Sequence, residues 1–480
     1  MGVAGVAEGC SELGVLPGIY PEWLGDRGFL QAHQVRYPYV CGEMANGIAT
    51  VELVASVARQ GVLGFFGAAG LASRRVEEAV LALQRQCADA SWGVNVIHSP
   101  ADPRAEEETV ELLLRHRVQR ISASAYMELT PPVVRCAATG LRTDRSGRVV
   151  RAHRVFAKVS RPETARMFMS PPPRELLDEL VRCGKLDPYE AQLAAGVPVA
   201  EDVTVEADSG GHTDNQSLTA LLPRVLGVRD SMERAHGHRV RVGAAGGLGT
   251  PEAVAAAFAL GAAYVVTGSV NQTAVEAGMS PEAKGLLAAA DLGEVTMAPS
   301  ADMFELGARV QVLSKGTMFA VRAQRLYELY RRHAGLEELS SRDRTWLERD
   351  VLRASVADVW RQTERYWQER DPGQLTRAAA DARHRMALLF RWYLGQSTRW
   401  AIAGTADRRA DYQLWAGPAL GAFNAWVAGS HLADPEHRTA VQIALNLLEG
   451  AAVITRAQQL RTCGLPVPDA AFRFTPRPLT

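Results

Sequence analysis

Short apolar runs alternate with longer amphipathic stretches over the first half of the chain and somewhat beyond. Runs rich in Val, Ile, Phe and Ala occupy 37–41, 62–66, 92–97, 118–123, 153–159, 203–207, 240–244 and 263–267. The segments between them, such as 77–90, are mostly long enough for a crossover helix and often carry apolar residues three and four apart. Eight strand–helix repeats predict parallel strands with crossover helices, and eight is the number that closes a (β/α)8 TIM barrel. An open doubly wound sheet would share the same periodicity. The sixth run arrives late. Before it, 171–199 carries a proline-rich turn and two short helical patterns, read as an insertion (about 171–200) that caps one barrel face. Beyond 315 the strand pattern stops, and helical spacing takes over at 318–333, 343–369, 375–393 and 438–463, broken by a Gly/Trp-rich stretch at 404–430. The expected organisation is an N-terminal extension at 1–34, an α/β barrel at 35–315 and a mainly helical C-terminal domain at 316–480.

Composition narrows the function classes. Of 480 residues 47% are apolar, enough for a sizeable core, and 53 basic residues balance 53 acidic ones. That balance gives no long-range reason to expect nucleic acid or an anionic membrane as partner. The six cysteines (Cys10, Cys41, Cys87, Cys136, Cys183 and Cys463) show neither a C-x-x-C pair nor metal-ligand spacing. They read as reduced thiols of a cytoplasmic protein. The N-terminus lacks a cationic start followed by an apolar core, and the apolar run 253–266 is too short to span a bilayer.

The candidate chemistry lies at the ends of the predicted strands, where barrel enzymes place their active sites. The seventh ends in Ala244-Ala245-Gly246-Gly247-Leu248-Gly249-Thr250-Pro251 and the eighth in Thr267-Gly268-Ser269. Glycines admit an anion to the backbone N–H groups, and Thr250 with Pro251 reads as an N-cap and first helical residue, so a positive helix end points at the same place. This predicts a phosphate site, without saying which cofactor carries the phosphate. The sixth strand ends in EADSGGHTDN, residues 206–215, which puts His212 on a Gly-Gly turn at the barrel mouth, suited to moving a proton or polarising a carbonyl. Asp208 and Asp214 fit turn formation or function equally. The third strand ends in Asn95 and, three residues on, His98, a second candidate proton donor; the amide of Asn95 suits the edge of a flavin or pyrimidine-like ring. Around Gly42, Met44 and Gly67 small residues leave room for a flat ring. No Ser/His/Asp order, zinc spacing or paired-carboxylate logic emerges, and no metal is expected.

The segments EADSGGHTDN, AAGGLGTPEAV and TGSVNQT, in this order, resemble the PfaD family of trans-acting enoyl reductases, within the wider nitronate monooxygenase-like group of FMN barrels. The likeness continues through APSADMFELGARVQVLSKGTMFAVRAQRLYELY, FRWYLGQSTRWA and DYQLWAGPALGAFNAWVAGS, which the wider group lacks. The resemblance implies a bound FMN that takes hydride from NADPH and delivers it to the β-carbon of an α,β-unsaturated thioester on an acyl carrier protein of a polyketide or polyunsaturated fatty-acid synthase. It implies that Gly246, Gly247, Gly268 and Ser269 hold the FMN phosphate and that Met44 and Asn95 contact the ring. Gly42, Glu206, Gly210 and Gly211 complete the cofactor-binding set, and His212 polarises the thioester carbonyl or supplies the α-carbon proton. The resemblance also carries homodimerisation as an expectation. Glu43 stands where the group has a small residue: charged and inward it would oppose flavin reduction, outward it would pair with an arginine and matter little. The segment Arg391-Trp392-Tyr393 reads most simply as helix core, with closure over a substrate pocket or carrier-protein docking as the rival. Arg361, Arg365 and Arg399 are candidate contacts for an acidic carrier protein. A nitronate monooxygenase-like oxidase and a non-catalytic scaffold that retains flavin are the competing functions.

Overall fold

The computed structural model describes residues 15–98, 100 and 102–479, so Cys10, Ser99 and the first fourteen residues of the expected N-terminal extension lie outside the described residues. Eight parallel strands close a barrel: β1 (Tyr39–Cys41), β2 (Leu63–Phe66), β3 (Trp92–Ile97), β4 (Arg120–Ser124), β5 (Arg154–Val159), β6 (Asp202–Glu206), β7 (Arg241–Ala245) and β8 (Val265–Thr267). Each pairs with its sequence neighbour, and β8 returns to β1 in the register Val40↔Val266, which rules out the open sheet.

Alternation along the strands decides what fills the barrel. Val40, Leu63, Phe65, Phe156, Tyr264 and Val266 share one interior cluster with Phe29. Inward positions on β5 and β6 then read Phe156, Lys158 and Asp202, Thr204, Glu206, so charged groups lie at both ends of the apolar plug. The floor is closed by α1 (Arg27–His33), whose Phe29 stacks on Tyr264 at 4.4 Å between ring centres. His33 Nε2 donates to Asp202 Oδ2 at 2.9 Å, and Arg241 donates to both Asp202 oxygens at 2.7 and 2.8 Å.

The flanking helices follow from local sequence. The helix α2 (Val51–Arg59) is capped by Thr50, whose hydroxyl accepts from the Leu53 N–H, and α3 (Pro251–Ala259) is capped by Thr250 in the same way. The insertion behaves differently from expectation. Its helices Arg174–Arg182 and Pro188–Ala194 pack beside the helix Pro131–Ala138 through Val134, Leu141, Leu177 and Leu180, on the barrel's flank. None of its residues lines the cavity at the mouth, so it does not cap that face.

Two strands after the barrel fall outside the eight anticipated from sequence. The hairpin β9 (Val295–Pro299) and β10 (Arg309–Leu313) takes the segment Gly211–His212 as a third, antiparallel strand, pairing Val310 with His212. The helices α4 (Phe319–Arg332), α5 (Val356–Arg370), α6 (Pro372–Ala380) and α7 (Ala382–Ala403) build their own core from Phe304, Phe319, Trp360, Leu389, Phe390 and Tyr393. The buried apolar side chains of residues 412–457 do not join that core, although Trp415 packs against both it and the barrel's outer cluster. Tyr412, Leu414, Phe423 and Ile443 belong to the barrel's outer cluster, so the helical region expected over 316–480 is divided between two cores. Among the described residues, α9 (Ala440–Thr462), which follows α8 (Pro418–Val427), is the one helix long and apolar enough to cross a membrane. Here it packs on α3, and Gly450 permits the approach, since a side chain there would strike Pro251.

Candidate active site

A cavity of about 800 Å³ opens at the C-terminal ends of the barrel strands. Gly42, Met44, Asn95, Glu206, Gly210, Gly211, His212, Gly246, Gly247, Gly268 and Ser269 all line it. His98 does not. Its Nδ1 is held by Glu106 Oε2 at 2.9 Å and its ring stacks on Tyr126 at 5.3 Å, so the side chain packs away from the cavity and the expected proton-donor role is withdrawn.

The glycines fall into two kinds. A Cβ on Gly247 or Gly268 would meet nothing within 4 Å, so the backbone there is open to a ligand, and Gly247 holds φ at +73°. The N-terminus of α3 adds its positive dipole end to this cradle, as an anion site requires. Gly210 and Gly249 serve packing instead: a Cβ on Gly210 would lie 2.9 Å from Ala416 backbone, and one on Gly249 would lie 1.9 Å from the Ala419 carbonyl oxygen. The returning segment at 415–419 is threaded between the loops, and the Gly417 N–H donates to Ser269 Oγ at 3.3 Å.

Asn95 Oδ1 accepts from the backbone N–H groups of Ala68 (2.7 Å) and Ala69 (3.3 Å), which fixes its amide and leaves Nδ2 for the cavity. Glu43 points inward. Its Oε1 accepts from Ser122 Oγ at 3.0 Å and Ser124 Oγ at 2.7 Å and lies 3.4 Å from Lys158 Nζ. Lys158 also pairs with Glu206 at 2.8 Å. Burial works against the ammonium, but the Glu206 and Glu43 carboxylates outweigh it and raise its pKa, so Lys158 is charged. Sequence reasoning missed Lys158, although its position two residues beyond Phe156 on a period-2 strand signals an inward side chain at the mouth.

His212 Nε2 contacts Ser300 Oγ at 3.1 Å and Asp302 Oδ1 at 3.2 Å, and Ser300 in turn bonds Asp302. Burial disfavours the imidazolium, yet the Asp302 carboxylate more than offsets this and raises the His212 pKa above its ordinary value. Ser300 and Asp302 come from the unanticipated β9–β10 hairpin. Both aspartates of the loop are structural: Asp214 forms a two-pronged pair with Arg161, and Asp208 accepts from Gln311 Nε2 at 2.7 Å.

The outer wall of the cavity comes from α5 and α7. Tyr366, Trp367, Leu388, Arg391, Trp392 and Gln396 face it, so Arg391 and Trp392 close the pocket while Tyr393 is core. Arg361 pairs with Asp358 on the exposed surface, whereas Arg365 and Arg399 line the cavity.

The nitronate monooxygenase family model matches residues 28–312, more than half of the chain. Residues 333–412 match the inserted helical domain of [acyl-carrier-protein] S-malonyltransferase. The chain is 43% identical over 94% of its length to a polyunsaturated fatty acid synthase polypeptide of Thraustochytrium sp., and 41% identical over 92% to the polyketide biosynthesis protein PksE of Bacillus subtilis. It spans 31% and 57% of those two relatives. The enoyl reductase domain of MlnA, from the macrolactin cluster of Bacillus amyloliquefaciens, superposes with a TM-score of 0.87 at 35% identity, covering 92% of this chain and 99% of that one. FabK of Thermotoga maritima shares the fold alone, at 19% identity and a TM-score of 0.54, over 91% of this chain and 98% of that one. The chain therefore belongs to the nitronate monooxygenase family of flavin enzymes and, within it, to the branch of the MlnA enoyl reductase domain.

Proposed function

We propose that the protein reduces the carbon–carbon double bond of an α,β-unsaturated acyl thioester on an acyl carrier protein, acting in trans for a polyketide or polyunsaturated fatty-acid synthase, with FMN bound and NADPH as hydride donor. The observation that carries this is His212, backed by Asp302, in one cavity with the open glycine cradle and under a wall built by α5 and α7. A small nitronate would not need that wall.

The residues fit the flavin. Gly246, Gly247 and Gly268, with the N-terminus of α3 and the Ser269 hydroxyl, suit its phosphate, and Asn95 Nδ2 and Met44 suit its ring. When bound, the flavin supplies the hydride chemistry, and the chain supplies orientation and charge. Lys158 is shared between Glu43 and Glu206, so it offsets part of their charge and lessens the opposition of the inward carboxylate to flavin reduction. His212 Nε2 is committed to Asp302 and Ser300, leaving Nδ1 for the substrate. Donation from Nδ1 requires the imidazolium, because Asp302 holds the other N–H. By favouring that form, Asp302 prepares His212 to polarise the thioester carbonyl or to protonate the α-carbon. It acts on the reaction only through His212 and is a positioning residue.

Anaerobic stopped-flow tests this. NADPH reduces the bound flavin, and crotonyl-loaded carrier protein should then reoxidise it rapidly with formation of butyryl product. Reoxidation by air but not by the thioester would instead support an oxidase. His212→Ala should retain FMN and lose about a hundredfold or more of the enoyl reduction; a wild-type rate would remove the role assigned to His212.

A further inference from the structure

The cavity wall carries two copies of one polar pattern. On α5 it is Gln362-x-x-Arg365, and on α7 it is Gln396-x-x-Arg399; all four residues line the cavity. Residues three apart share a helix face, so each pair presents an amide and a guanidinium together. Neither glutamine has a side-chain hydrogen bond among the described residues. Arg399 has none either, and Arg365 makes only a long one from Nε to the Arg361 carbonyl, at 3.4 Å.

Other arginines on the same helices have an ion-pair or aromatic partner, although the buried Nε of Arg385 has no hydrogen-bond partner. Arg361 pairs with Asp358, Arg370 with Asp102 at 2.7 Å and Arg391 with Glu305 at 3.2 Å, while Arg385 lies over the Trp360 ring. Two guanidinium groups without ion-pair partners, each beside a neutral donor and facing a concave site, match an anion with several acceptor oxygens. A phosphate ester fits that description, because the planar fork of arginine binds it through paired N–H donors. Glu369, which also lines the wall, lies one turn beyond Arg365 and leaves the cationic excess in place.

We propose that Arg365 and Arg399, with Gln362 and Gln396, form a phosphate-binding subsite on the helical wall. It rests on the enoyl reductase reading for its two candidate sources of phosphate: the pantetheine arm of a carrier protein and the nicotinamide dinucleotide.

Calorimetric titration of the flavin-loaded full chain tests it, with 4′-phosphopantetheine, pantetheine and NADPH as probes. Wild type should bind 4′-phosphopantetheine about tenfold more tightly than pantetheine, and R365Q/R399Q should lose that preference. If the double variant keeps the preference but binds NADPH about tenfold more weakly, the subsite stands with the dinucleotide as its source. If neither affinity changes in a variant with wild-type melting temperature and flavin content, the subsite is refuted. The single variants R365Q and R399Q provide the same readout should the double variant not fold. A wild type that shows the phosphate preference through these arginines, yet never reduces crotonyl thioester, would keep the subsite and overturn the enzymatic reading.

Discussion

The ammonium of Lys158 lies 3.4 Å from Oε1 of Glu43 inside the barrel mouth. A carboxylate that sequence alone leaves ambiguous is thus inward and ion-paired, sharing Lys158 with Glu206, with Ser122 and Ser124 completing its hydrogen bonds. Lys158→Met should make the midpoint potential of the bound flavin more negative by tens of millivolts, and Glu43→Gln should move it the other way; about 30 mV corresponds to about 1.4 kcal/mol for a two-electron couple. Spectroelectrochemical titration reads both. Unchanged potentials in both variants would uncouple the cluster from the cofactor.

The His212–Asp302 contact sets a pH dependence. A raised His212 pKa means that the imidazolium is fully present below the ordinary histidine value and is lost as pH rises through the raised one. Activity that needs the imidazolium therefore falls on the alkaline side. Asp302→Asn removes the carboxylate and should shift that descending limb of kcat/KM to lower pH. A limb that stays in place would show that another group controls it.

Two glycines of neighbouring loops should respond in opposite ways to the same substitution. Gly268→Ala adds a methyl group to open cavity at a negative φ, so it should weaken flavin retention and leave the melting temperature near wild type. Gly249→Ala forces a methyl group onto the Ala419 carbonyl, so it should lower thermal stability by displacing the 415–419 segment, costing about 1–3 kcal/mol. Flavin content after gel filtration and a melting curve separate the two effects.

The barrel floor carries the acid sensitivity. Burial drives the His33 pKa down, so the ring is neutral near pH 7 and Arg241 is the charge that balances Asp202. Burial opposes the Asp202 carboxylate, but His33 and Arg241 outweigh it and hold its pKa well below the usual range. Both groups are depressed, so both contribute stability above their unfolded values that is lost as pH falls. The His33 window opens first, below about pH 6.5, and that of Asp202 follows below about pH 4. His33→Gln should flatten the decline in urea-measured stability between pH 7 and pH 5, and an undiminished slope would assign it elsewhere. Asp202→Ala should cost about 3 kcal/mol by leaving half-buried Arg241 and buried His33 without their carboxylate.

Much of this was legible in the chain itself. The eight barrel strands coincide with apolar runs because inward and outward alternation, bounded by glycine or proline, is a local property of each segment. The glycine cradle and His212 were legible for the same reason, since strand ends in a barrel converge on one face wherever they come from in the sequence.

What tertiary structure decided were the partners. His98 and Asn95 look equally suited to the site from three residues apart, but Glu106 and Tyr126 turn the histidine away while the Ala68 and Ala69 N–H groups aim the amide inward. The sequence around 295–313 gave no sign that its hairpin would recruit Gly211–His212 and supply Asp302, because that pairing joins segments some ninety residues apart. Nor does helical spacing distinguish α9, buried against the barrel, from α7, closing its mouth. Local patterning fixes the period and the exposed face of an element; which surface covers that face depends on contacts distant in the chain, and those exist only once the barrel has closed.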